Sequence, residues 1–157
     1  MIDNIPCQVC AFDPTLKITG SWVLTISAKS PSANTLKGNG KGRSGWKYRL
    51  VRDNFLALVA AQSKNVPVAT EKRRVFFSRE YAGKCRRFDR DNLVAGMKPL
   101  RDCLTELKLI VDDADKWLEA HYEQRQGDVN QIIITIEDIL WLPTQTMRTT
   151  STESFSL

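Results

Sequence analysis

The chain has 157 residues, 42% of them apolar and 26% charged, enough for one packed core and close to the averages of globular proteins. No apolar run approaches the roughly 18 residues of a membrane-spanning helix. The opening stretch MIDNIPCQVCAFDP carries acids where a secretory signal has Lys or Arg. These features argue against a membrane partner and predict a cytoplasmic protein whose four cysteines stay reduced. The net charge of +5 is unevenly spread: residues 1–90 hold 17 Lys/Arg against 6 Asp/Glu, and residues 91–138 hold 5 against 11. A basic half followed by an acidic half fits a polyanion-binding surface beside a group of carboxylates.

Taken in chain order, residues 22–28 (WVLTISA) are rich in β-formers and predict a first strand. Pro31-Ser32-Ala33-Asn34 opens a flexible loop that runs through the glycine-rich stretch to Gly45. Residues 37–52 hold six Lys/Arg and no acid. Apolar positions then recur at helical spacing, which predicts a helix over residues 46–63, ended by Asn65-Val66-Pro67. KRRVFFSREYA at 72–82 predicts a second strand. Leu93, Met97, Leu100, Leu104 and Leu107 form a core-facing stripe that predicts a helix at 91–108, which Pro99 should kink or delay. Residues 115–126 and 129–137 read as a strand pair around Gly127-Asp128. The order β-α-β-α-β-β predicts an α/β (mixed α+β) domain over residues 1–138, with one mixed sheet and two main helices. Residues 139–157, ending in a Ser/Thr-rich stretch, are expected to form a disordered tail.

The chemistry concentrates in Arg86-Arg87-Phe88-Asp89-Arg90-Asp91-Asn92-Leu93. Two acids two residues apart project to one side of an extended segment, and Asp91 could also cap the helix that follows. About twenty residues on comes Asp112-Asp113, which a strand, helix and return would bring beside the first pair. Three carboxylates sharing a site need a cation, and hard oxygen ligands select Mg²⁺ or Mn²⁺. Asp91, Lys98 and Asp102 fall on nearly one helix face, so Lys98 could reach a phosphate or an attacking water.

This joint pattern resembles the RusA-like Holliday-junction resolvases. The family's Asp-x-Asp-Asn-Leu, helical Lys and apolar segment ending in Asp-Asp are matched by Asp89 to Leu93, by Lys98 and by Asp112-Asp113, and its early Pro-Ser-x-Asn loop by Pro31 to Asn34. The likeness runs from about Trp22 to Asp138. It departs in two places: Lys98 stands seven rather than four residues past the second Asp, and Phe88 stands where the family has Arg. The resemblance implies a homodimeric, Mg²⁺-dependent endodeoxyribonuclease that cleaves branched DNA in recombination and repair. Asp89, Asp91 and Asp113 would bind metal, Lys98 would be catalytic, and Asp112 would lie adjacent. The cations expected on DNA are Lys41, Arg43, Lys47, Lys72, Arg73, Arg74, Arg86, Arg87 and Arg90. The alternative is a non-catalytic, structure-selective DNA-binding protein whose aspartates are caps. Cys7 and Cys10 form half of a zinc site whose other half would need Cys85, Cys103 or His121; free thiols are the plainer reading.

Overall fold

The computed structural model describes residues 16–37 and 44–141. Its elements are β1 (Leu16–Ile26), α1 (Ala33–Lys37), α2 (Ser44–Gln62), a 3₁₀ turn at Ser63–Asn65, β2 (Arg73–Tyr81), α3 (Arg90–Glu106), β3 (Leu118–Gln126) and β4 (Gln131–Trp141). The four strands form one mixed sheet in the order β1-β4-β2-β3. The domain is therefore mixed α+β, as the element order predicts. Among the described residues no helix is long and apolar enough to cross a membrane.

The core lies between one face of the sheet and the helices. Ile132, Ile134 and Ile136 of β4 alternate inward with Val75 and Phe77 of β2 and Leu24 and Ile26 of β1, all buried. Phe55 and Val59 of α2, with Leu93, Met97, Leu100, Cys103 and Leu104 of α3, pack onto them. The opposite face stays accessible: Val23 is 62% exposed, and His121 stacks on Phe76 at 4.8 Å while its Nε2–H donates to the Glu119 carboxylate at 2.9 Å.

Four expectations need correction. Residues 33–37 are helical, started by the Ser32 hydroxyl accepting from Thr35 N–H at 3.2 Å, whereas the sequence predicts loop. Pro99 does not delay α3, which starts at Arg90. The strands flanking Gly127-Asp128 do not pair with each other. Instead β3 pairs with β2 in parallel, and β4 lies between β1 and β2, antiparallel to both. Finally, β4 does not stop at 137: Ile139, Leu140 and Trp141 pair with Ile18, Lys17 and Leu16. Residues 142–157 lie outside the described residues.

The parallel β2-α3-β3 unit positions Asp89, Asp91, Asp102, Asp112 and Asp113. β2 ends at Tyr81; Gly83 turns with φ +63°, a conformation that disfavours side chains, and the chain reaches Asp89. Helix α3 then runs back along the sheet so that β3 can start beside the beginning of β2, with Arg73 opposite Leu118.

Candidate active site

Asp89 is the N-cap of α3. Its backbone is extended (φ −67°, ψ 167°), and its carboxylate accepts from Asn92 N–H at 2.8 Å and from Asn92 Nδ2 at 2.6 Å. The Asn92 backbone N–H, followed by its side-chain amide, holds the Asp89 carboxyl below the usual carboxylate range. The cap's stabilising contribution is thus complete above about pH 4–5, the range of an unfolded Asp, and fades as pH falls through the lowered value. Asp89, not Asp91, fills the capping role. Asp91 sits exposed in the first turn of α3 and, among the described residues, makes no side-chain hydrogen bond or ion pair. Arg86, Arg87 and Arg90 flank the pair and are all exposed.

Asp112 and Asp113 stand at the other end of α3. Asp112 Oδ1 accepts from Ala114 N–H at 3.0 Å, a local turn contact. Asp113 accepts from Arg101 through its backbone oxygen (2.9 Å) and its carboxylate (3.3 Å). Twelve residues separate Asp89 from Arg101, about 18 Å of helix axis. Within one chain, Asp113 is therefore not brought to Asp89 and Asp91. Among the described residues, no three His, Cys, Asp or Glu side chains converge closely enough to hold a metal. The expected convergence treats strand, helix and return as a closed loop; a crossover helix instead delivers the chain to the start of the next parallel strand.

Lys98 does share a face with Asp91 and Asp102, as helical spacing predicts. Its Nζ lies 3.1 Å from Asp102 Oδ1, and the other Asp102 oxygen accepts from the Tyr48 hydroxyl of α2. Burial, followed by the hydrogen bond to Asp102, raises the Tyr48 pKa above its ordinary value. Lys98 and Ala95 line a cleft of about 370 Å³ closed by Leu36, Lys37 and Tyr48.

The basic surface needs one revision. Arg73, expected on DNA, is 2% exposed; its guanidinium binds Asp138 at 2.6 Å and the carbonyls of Pro67 and Leu109. Arg74 is held by Glu119 at 2.9 Å and faces Glu137 at 3.8 Å. Neither is offered to a phosphate. Lys72 is half-buried and Lys47 exposed; Lys41 and Arg43 lie outside the described residues.

Two positions that the sequence does not single out shape this site. Gln124 of β3 clamps Phe88, accepting from its N–H at 2.9 Å and donating to its carbonyl at 2.6 Å, and so anchors the segment that carries Asp89. Gly96 lets the Pro31 loop rest on α3, since a Cβ there would lie 2.3 Å from the Pro31 carbonyl oxygen. The Pro-Ser-x-Asn segment thereby sits one turn from Asn92. Gly96→Ala should cost about 1–3 kcal/mol in urea denaturation because the contact is to backbone that must move. A change near zero would mean that the loop is not seated on α3.

The described cysteines are dispersed. Cys103 is buried in the core, where burial pushes its thiol up to about 12, and Cys85 is half-buried in the loop before Asp89. With maleimide at pH 8 the native protein should label at Cys85 and spare Cys103, as peptide mapping will show; equal labelling would contradict this packing. His121 lies on the open sheet face, and Cys7 and Cys10 lie outside the described residues. A scan against known family models and a search of curated proteins each find no match to this chain.

Proposed function

We propose that the chain is a metal-dependent endodeoxyribonuclease acting on branched DNA. The observation that carries the reading is the exposed Asp89–Asp91 pair at the β2–α3 junction, set among Arg86, Arg87 and Arg90. Their hard carboxylate oxygens suit Mg²⁺ or Mn²⁺, and Mg²⁺ is commonly held by only one or two carboxylates, with water and substrate phosphate filling the rest. Once bound, such an ion supplies Lewis acidity and an activated water for phosphodiester hydrolysis.

The residues divide the remaining work. Asn92 fixes the orientation of the Asp89 carboxylate, and Asp91, without a side-chain partner among the described residues, is open to the ion. The three arginines neutralise backbone phosphates and set the strand against the carboxylates with little sequence readout. Lys98, tethered by Asp102 about two turns along α3, meets charge on an adjoining phosphate. A homodimer would place two such sites about a two-fold axis, matching the symmetry of a four-way junction.

Incubating a synthetic four-way junction with the protein in Mg²⁺, and again in EDTA, tests the reading. Nicks should appear only with Mg²⁺ or Mn²⁺. A junction that is bound yet stays intact in both metals would favour a structure-selective DNA-binding protein instead.

A further inference from the structure

The core-facing row of β2 reads Arg73, Val75, Phe77, Arg79, with a buried guanidinium at each end, both only 2% exposed. At one end Arg73 meets Asp138. At the other, Arg79 donates to Gln124 Oε1 at 3.0 Å and to the Arg86 carbonyl at 3.1 Å. Its guanidinium lies 3.7 Å from the Phe88 ring centre and 4.8 Å from that of Tyr81. All these partners are neutral, and among the described residues no carboxylate lies within 4.0 Å of Arg79. A desolvated cation of this kind is costly unless an anion compensates it.

Arg79 forms part of the wall of a cleft of about 540 Å³ between the segment 29–35, which includes the start of α1, and the segment 85–88. Lys29 and Arg86 add two more cations, and Ser30, Ser32 and Thr35 add hydroxyls; no carboxylate contributes to the lining. Burial holds the Arg79 pKa below that of an exposed guanidinium, as the neutral surroundings require. We infer that this cleft is an anion subsite that takes a phosphate group of a nucleic-acid strand, with Arg79 as its fixed guanidinium. A guanidinium donates to phosphate oxygens in a planar fork, and hydroxyls can supply the remaining donors. The volume leaves room for the nucleoside attached to that phosphate. Arg86 and Phe88 belong to the same segment as Asp89, so a strand gripped here runs past the carboxylate pair. The anion site stands on this geometry alone; naming DNA as the phosphate's source rests on the nuclease reading.

The test uses the full chain, ¹⁵N-labelled, titrated with inorganic phosphate at constant ionic strength and followed by NMR. Saturable shifts should gather at the Arg79 Nε–H, the Gln124 side-chain amide and the Ser32 and Thr35 amides. The double variant Lys29→Gln/Arg86→Gln, which alters only exposed side chains, should weaken phosphate binding about tenfold. Shifts that fail to saturate, or a double variant that binds as well as wild type, would overturn the subsite. In EDTA, a single-stranded oligonucleotide should displace the phosphate; failure to displace it would overturn the assignment to a nucleic-acid strand. Phosphate binding without junction cleavage in Mg²⁺ would leave the subsite standing and remove the nuclease reading.

Discussion

Asp138→Ala should destabilise the fold by about 3 kcal/mol, the lower end of what removing one partner of a buried ion pair costs. The lower end applies because the Asp138 side chain is 35% exposed, whereas Arg73 is 2% exposed. Arg73 sits opposite Asp138 across the β2–β4 ladder and gathers the Pro67 and Leu109 carbonyls. Without the carboxylate, a positive charge remains packed against Trp22 with only neutral acceptors. Urea denaturation measures the loss. The double change Arg73→Met/Asp138→Ala should recover part of it, because no charge is then left stranded. A single-variant loss below about 1 kcal/mol would show that water already solvates Arg73.

Asp91→Asn should lower junction cleavage in Mg²⁺ at least a hundredfold while leaving the melting curve nearly unchanged. The carboxylate is exposed and serves no described fold contact, so on the proposed nuclease reading its replacement removes a metal ligand and little else. Asp89 gives a useful contrast. Asp89→Asn preserves a good N-cap and should cost activity alone, whereas Asp89→Ala also removes the acceptor used by Asn92 and should melt a few degrees lower. An Asp91→Asn protein that cuts at near wild-type rate would remove the carboxylate pair from the chemistry.

The sequence was most legible where periodicity was strong. The leucine stripe places α3 within two residues of its observed ends, and the alternation of KRRVFFSREYA places β2 within one. Strand pairing was not legible. Gly127-Asp128 suggests a hairpin, yet the unbroken isoleucine run of β4 suits a strand with a neighbour on each side, while Leu-Glu-Ala-His-Tyr-Glu-Gln-Arg-Gln suits an edge. Arg73 was misplaced because alternation shows which residues share a face without showing which face is covered. Val75 and Phe77 carry Arg73 and Arg79 inward with them. The Asp-x-Asp motif was legible as a local feature, but its distance from Asp113 depends on the direction of a crossover, which no local pattern encodes.

The position of β4 has a consequence for biogenesis. It fills the centre of the sheet, yet of the four strands it is synthesised last. Until it emerges from the ribosome, among the described strands β1 has no neighbour and β2 can pair only with β3, so the two edges that β4 covers stay open. The nascent sheet is thus a template for mispairing throughout translation, and the protein should depend on chaperones that hold β1 and β2 apart from other chains. Closing the β1–β4 ladder joins Leu16 to Trp141, a long-range contact that should make this the slow step of refolding.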